Sequence, residues 1–353
     1  GEYFRFSPMK YQRFRNFYNG KRVLVTGGLG FIGSNLSVML ARLGASVVVV
    51  DSLVPGCGGS FQNVEGFRNR ISCVVSDIGA GETLDPYIRD SEIVFNLAGE
   101  IAHLPSIRQA DRDLALNVSS QLTFLDSCVR LNPGVRIVYT CTRQVYGVPR
   151  YLPVDETHPM FPVDFNGIHK MAAAQYHLLL SRLQQLDTVV LYLTNVYGPR
   201  MALHLPQQGV LATFLRQAVA RKPILVFGDG SQQRDPLYVD DAVDAILCAG
   251  LTQLDVNRSF NIGHPEAWTI YDIARYLSRL AGLPEPERCT FPSDRQRIDV
   301  GNYCTDTRLT EAVLGWRAQT SLAEGLVESL RFFDGSQSVQ LEQLKEPGQG
   351  QLA

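Results

Sequence analysis

The chain predicts an α/β protein organised around a doubly wound parallel sheet with a smaller α/β lobe, and three observations carry that expectation. From Lys21 onward, strand-like and helix-like stretches alternate, the order in which parallel strands are joined by right-handed helical crossovers. A glycine-rich turn, Thr26 to Gly33, falls directly between the first such strand and the first helix. An acid, Asp51, closes the second strand, eighteen residues beyond Gly33.

Residues 22–26 and 46–50 are short apolar runs bounded by turn residues and read as buried strands. Between them, residues 31–43 have helical periodicity, with Gly44 placed to close the helix. Further strands are expected at 72–75, 93–97, 136–140 and 188–193. Helices are expected at 114–131 and 168–185, each with enough apolar residues for a buried stripe. After Asn195 the prolines Pro199, Pro206, Pro223, Pro236, Pro265, Pro284, Pro286 and Pro292 break the rhythm into short elements. The expected organisation is an extension at 1–20, a dinucleotide-binding domain at 21–195, a mainly substrate-binding lobe at 196–333 interleaved with it, and a flexible tail at 334–353.

Bulk properties narrow the class. The 353 residues are 45% hydrophobic and 19% charged with a formal net charge of -2, so no global basic field attracts nucleic acid or an anionic membrane. No apolar run approaches the length of a membrane span. Seven scattered cysteines without a Cys-x-x-Cys pair suit reduced thiols and a cytoplasmic protein, with no zinc or other metal site. Residues 1–20 interleave Arg5, Lys10, Arg13 and Arg15 with Tyr and Phe; without the continuous apolar core of a signal peptide, they read as an extension packed on its own domain.

The turn Thr26-Gly27-Gly28-Leu29-Gly30-Phe31-Ile32-Gly33 carries the first chemical signal. Glycines there permit a tight turn and close backbone approach, and the helix start offers amide donors and a favourable dipole to a pyrophosphate. Alone the pattern is weak; Asp51 strengthens it, since an acid at this spacing accepts hydrogen bonds from the adenosine ribose and repels a 2'-phosphate. Ser52, Leu53 and Val54 supply no cation, so NAD is favoured over NADP. Asp77 and Ile78, after the third strand, are placed to bracket the adenine.

From about residue 21 to 333 the chain resembles the extended short-chain dehydrogenase/reductase family, close to nucleotide-sugar 4-epimerases and 4,6-dehydratases. The likeness rests on Thr26 to Gly33, Asp51, Asp77-Ile78, Asn96-Leu97-Ala98-Gly99, Asn117-Val118, Thr140-Cys141-Thr142 before Val145-Tyr146-Gly147, Lys170, Asn195 to Arg200, and Gly228-Asp229-Gly230 leading into Arg234-Asp235. The resemblance implies a Rossmann fold in which Gly27, Gly30, Phe31, Ile32, Gly33, Asp51, Ser52, Asp77, Ile78, Leu97, Ala98, Gly99, Asn117, Thr140 and Lys170 bind NAD. It implies that Thr142 hydrogen-bonds the sugar oxygen being oxidised, that Asn195 holds the nucleotide-sugar, and that Arg234 neutralises its diphosphate. Arg297 or Arg295 supplies a second phosphate contact, because guanidinium binds phosphate bidentately. A UDP-sugar is the favoured partner. A homodimer through the helices 114–131 and 168–185 is a further implication. Tyr192, where the family usually has arginine, is read as a packing variation.

One central part departs from the pattern. The family's Tyr-x-x-x-Lys reads Asn166-Gly167-Ile168-His169-Lys170, with residues 166 and 170 on one helix face. A phenol beside a cation can be brought toward working pH as a base; an amide cannot. Candidates to replace it are His169, an imidazole and so able to accept a proton, which points about 100° away from Lys170 on a helix, then Glu100, His103, Tyr146 and Tyr151. The sequence therefore supports an NAD-dependent epimerase or dehydratase with transient hydride transfer at the sugar, at C4, using Thr142, Lys170, Asn166 and His169. Its alternative is a non-catalytic protein that binds NAD and a nucleotide-sugar.

Overall fold

The computed structural model describes residues 6–99, 107–205 and 209–334. Glu100, His103 and the tail at 335–353 lie outside the described residues. Strands β1 (Arg22–Thr26), β2 (Ser46–Asp51), β3 (Ile71–Val75), β4 (Ile93–Asn96), β5 (Arg136–Thr142) and β6 (Asp187–Leu193) are followed by the short strands β7 (Val196–Tyr197), β8 (Leu225–Phe227), β9 (Gln233–Arg234) and β10 (Leu237–Tyr238). Strand β11 (Ser259–Ile262) returns to the main sheet, and β12 (Trp268–Thr269) and β13 (Glu287–Cys289) complete the set. The main sheet has seven strands in the order β11-β6-β5-β4-β1-β2-β3. All six of its pairings are parallel. The order reverses beside β1, so the carboxyl ends of β1 and β4 open a crevice there, the place where such sheets bind ligands.

Helices cover both faces. They are α1 (Pro8–Tyr18), α2 (Phe31–Arg42), α3 (Asp85–Asp90), α4 (Ala110–Leu114), α5 (Ser120–Leu131), α6 (Phe165–Arg182), α7 (Val210–Val219), α8 (Val239–Leu251), α9 (Ile270–Leu280), α10 (Ser293–Gln296), α11 (Arg308–Leu314) and α12 (Leu322–Asp334). On one face Leu36, Leu40, Val243 and Ile246 pack with Val25, Phe95 and Val189 of the sheet. On the other, Ile88, Phe124, Leu125 and Cys128 pack on Leu24, Val94 and Ile137. Each such side chain, fully buried, contributes about 1.5–3 kcal/mol from water exclusion. Residues beyond 195 supply β11, which pairs Ser259 with Val190, and α8, which lies beside α2.

The N-terminal segment forms α1, its Ser7 side chain capping Lys10 N at 3.3 Å. Phe14 and Tyr18 are buried, the Tyr18 hydroxyl donates to Leu247 O at 2.6 Å, and Lys10 pairs with Asp244. No helix among the described residues is long and apolar enough to cross a membrane.

Two helix starts lie three or four residues before the positions the sequence predicts, and both matter for the site. The helix expected at 114–131 begins four residues earlier and is interrupted by a π turn over Ala115–Ser119, between α4 and α5. The helix expected at 168–185 starts at Phe165, because Asp164 caps it by accepting from Gly167 N at 2.7 Å.

Candidate active site

The carboxyl ends of β1, β2 and β4 border a cavity of about 450 Å³. Gly27 adopts φ +64°, and a Cβ on it would stand 2.5 Å from Leu97 O. A Cβ on Gly33 would stand 2.1 Å from Gly27 O, so the start of α2 presses directly on the turn. Helix α2 begins after Gly30 with no acid in its first turn, leaving its amide end open to an anion. Asp51 accepts from Leu29 N at 3.1 Å and Leu53 N at 2.9 Å, tying the second strand to the turn.

A buried polar chain fixes the opposite wall. Thr26 Oγ1 donates to Asn96 Oδ1 at 2.7 Å and accepts from Ala98 N at 3.2 Å. Asn96 Nδ2 donates to Gln121 Oε1 at 2.7 Å, and Gln121 Nε2 donates to Ala98 O at 3.0 Å. These bonds hold the segment Leu97, Ala98 and Gly99 against the cavity.

Of the residues expected to bind the cofactor, Gly27, Gly30, Phe31, Ile32, Gly33, Asp51, Ser52, Asp77, Ile78, Leu97, Ala98, Gly99, Thr140 and Lys170 all line this cavity. Asn117 stands one layer behind: a Cβ on Gly99 would meet its Oδ1 at 2.5 Å. Arg112, which the sequence did not single out, also lines the wall and donates to Pro55 O at 3.3 Å. Its position depends on α4 folding over the loop after β2, which no local pattern encodes.

Beyond Lys170 lies a polar corner. Thr142 ends β5 and caps the turn that follows, its Oγ1 accepting from Gln144 N at 3.3 Å. Asn166, His169 and Lys170 share a buried face of α6, with exposures of 0%, 9% and 3%. Asn166 and His169 both meet Asp113 of α4. Asn166 Nδ2 donates to Asp113 Oδ1 at 2.8 Å and Asn117 Nδ2 donates to the same oxygen at 3.1 Å. His169 Nδ1 lies 2.5 Å from Asp113 Oδ2. A carboxylate only accepts, so His169 carries its proton on Nδ1 and leaves Nε2 as the free basic atom of the neutral ring. The divergence of His169 from Lys170 around the helix thus points it at Asp113 rather than into solvent. Asp113 is not announced by the sequence: its bond to Asn117 is the ordinary four-residue helical spacing, and it meets Asn166 and His169 only where α4 packs on α6.

The two alternative phenols are engaged elsewhere. Tyr146 is buried, donates to Asn261 Oδ1 at 2.6 Å, and burial pushes its phenol far up. Tyr151 is exposed and donates to Asp155 Oδ1 at 2.7 Å. Tyr192 packs on Tyr146 with ring centroids 5.5 Å apart.

The arginines expected at the substrate separate. Arg234 is buried, its Nη1 donating to Gln233 O and Gly301 O and its Nη2 pairing with Asp299 at 3.2 Å. Burial, with Arg143 as a second influence, lowers it to about 10, so it remains a cation at neutral pH. Arg297 is exposed at the end of α10, and Arg295 lies over the Phe227 ring. Neither is joined to the Arg234 group. Instead Arg143, next to Thr142 and absent from the sequence expectations, is buried there: its Nη2 donates to Asn195 Oδ1 at 3.4 Å and its guanidinium covers the Tyr303 ring at 4.7 Å.

A crevice at the reversal of a parallel sheet, a glycine turn with no room for a Cβ at Gly27 or Gly33, and a lysine on its inner wall define a dinucleotide-dependent enzyme class. The chain belongs to the NAD dependent epimerase/dehydratase family, whose profile matches residues 23–263. It is similar to the UDP-glucose 4-epimerase of Mycolicibacterium smegmatis, 31% identical over 88% of this chain and 98% of the relative. It is similar also to the dTDP-L-rhamnose 4-epimerase of Burkholderia thailandensis, 30% identical over 88% of this chain and 94% of the relative. Among solved structures, the UDP-glucose 4-epimerase of Thermotoga maritima with UDP-glucose superposes with a TM-score of 0.80, at 30% identity, over 89% of this chain and 98% of that one. MoeE5 in complex with UDP-glucose and NAD gives a TM-score of 0.74 at 28% identity, covering 89% and 98%. The residues fit the family's cofactor: the glycine turn leaves backbone amides and no side chain where a pyrophosphate must approach, and Asp51 lines the same cavity at the end of β2.

Proposed function

We propose that this chain is an NAD-dependent nucleotide-sugar epimerase or dehydratase acting at C4 of the sugar, with Asn166 in the place of the family's tyrosine and a UDP-sugar as substrate. The observation that carries the reading is the Asp113–His169 pair, whose histidine shares a helix face with Asn166 and stands one residue from the cavity-lining Lys170. Bound NAD supplies a hydride acceptor that is regenerated within the cycle. Lys170 holds the nicotinamide ribose and contributes a fixed positive charge. Thr142 hydrogen-bonds the sugar hydroxyl being oxidised. His169 Nε2 takes the hydroxyl proton, while Asp113 fixes the tautomer and stabilises the cation that forms, as an acid behind a histidine does in other enzymes. Asn166 positions its neighbours and carries no proton. Asn195 hydrogen-bonds the nucleotide-sugar and Arg234 neutralises its diphosphate.

Exposed Leu122 on α5 and Ile168 and Leu179 on α6 support a homodimer through these helices; light scattering of the purified protein tests it.

The chemical reading is tested by incubating the NAD-loaded protein with UDP-, GDP-, CDP- and dTDP-sugars and following the sugar by NMR. An epimerised or dehydrated product is expected. Tight binding of a nucleotide-sugar without product across the panel favours instead a non-catalytic binder, the outcome expected if the loss of the phenol is not made good.

A further inference from the structure

Arg143 is a cation taken almost wholly out of water, 8% exposed. That is costly unless a partner is supplied. Among the described residues no carboxylate forms an ion pair with it. Asp235, Asp299 and Asp164 act on it only from a distance, and Asp235 is engaged by the Thr194 hydroxyl at 2.6 Å and Thr305 N at 3.1 Å. Its one hydrogen bond among the described residues is the 3.4 Å contact to Asn195 Oδ1. Arg143 Nε and Asn195 Nδ2 are both buried donors without an acceptor. Two side chains that touch each other, each with an unmet N–H and one of them charged, make a built site for an oxyanion.

The position within the fold says which oxyanion. Arg143 directly follows Thr142 at the end of β5, the residue assigned to the sugar hydroxyl. Arg234, on β9, is the arginine assigned to the diphosphate. We propose that Arg143, with Asn195, binds a carboxylate carried by the sugar, so that the preferred substrate is a nucleotide-linked uronate rather than a neutral hexose. This rests on the nucleotide-sugar reading given above. A planar carboxylate presents two acceptor oxygens to the guanidinium fork, and a neutral hydroxymethyl group leaves the cation uncompensated.

The test is calorimetric titration of the NAD-loaded full chain, wild type and Arg143→Gln, with UDP, UDP-glucose and UDP-glucuronate, repeated with the thymidine counterparts. The wild type is expected to bind the uronate about tenfold or more tighter than the hexose, and Arg143→Gln to erase that preference while leaving the affinity for the nucleoside diphosphate within about twofold. An equal loss for all three ligands places Arg143 on the diphosphate and overturns the proposal, as does a wild type without preference. If the wild type binds none of these ligands, the nucleotide-sugar reading itself fails, a result distinct from binding without preference. Should Arg143→Gln fail to fold, Arg143→Lys keeps the charge but loses the Nε–H donor; it is expected to weaken the uronate selectively, and an unselective loss overturns the proposal.

Discussion

The cofactor cradle and the corner around Asp113 adjoin each other but are built by opposite means. The cradle is backbone: Gly27 and Gly33 leave no room for a side chain, and amides at the start of α2 face the cavity. The corner is side chain: Asp113, Asn117, Asn166 and His169 come from a π-interrupted helix and from α6, and Asp113 and His169 lie 56 residues apart. A backbone site tolerates almost no substitution yet needs no particular functional group. A side-chain site can exchange one group for another when a neighbour compensates, and here an amide stands beside a histidine–carboxylate pair.

The largest effect should come from emptying the corner. Asp113→Ala leaves the Asn117 and Asn166 amides and the His169 ring without their shared acceptor. A loss of about 3–5 kcal/mol in stability is expected, read by denaturant unfolding; a loss below about 1 kcal/mol would mean that water replaces the carboxylate and that the corner is looser than described. Gly33→Ala attacks the cradle. With its Cβ 2.1 Å from Gly27 O, the turn must open, and a cost of about 3 kcal/mol is expected together with weakened NAD binding in a fluorescence titration.

Helix α6 sharpens the comparison, because it carries two buried histidines of different kinds. His177 lies 2.8 Å from Ala173 O and 3.1 Å from Asn96 Nδ2, and it stacks on Tyr139 at 4.2 Å. Burial lowers it to about 4 from an ordinary value near 6.5. Between those limits the unfolded chain binds more protons than the folded one, so the stability held by neutral His177 is complete above pH 6.5 and is lost as pH falls toward 4. Its span is about 3 kcal/mol, and His177→Gln should flatten the wild-type slope of stability against pH over that window. An unchanged slope would place the acid sensitivity elsewhere. The smallest effect is expected of Thr26→Val, which removes a hydroxyl bridging Asn96 and Ala98 N and should cost about 1–2 kcal/mol in thermal unfolding.

The same contrast explains what the sequence disclosed. The sheet, the glycine turn, Asp51 and Asp77 were legible because a βα unit is local: strand, turn and helix are consecutive, and their periodicity and glycines are its physical cause. Lys170 was legible through the resemblance to the family's Tyr-x-x-x-Lys, a four-residue spacing that a helix turns into a shared face. Asp113 was not, because its role exists only after α4 meets α6, 53 and 56 residues along the chain. Arg143 was hidden for a different reason, since a charged residue beside a strand end is ordinarily solvated and nothing local announces its burial. Arg297 shows the converse, a plausible local motif whose side chain the fold leaves exposed. Helix α6 starts three residues before the apolar periodicity does, because the Asp164 side chain caps it ahead of Phe165.

The central claim is that His169, held by Asp113, does the proton work that Asn166 cannot. Its most direct test is the turnover rate of His169→Gln on the nucleotide-sugar that the wild type converts, measured with saturating NAD across pH. A fall of about 10²–10⁴-fold is predicted, with nucleotide-sugar affinity retained and the pH dependence of the wild-type rate abolished. A variant that turns over at the wild-type rate with the wild-type pH profile would contradict it and return the proton to another group.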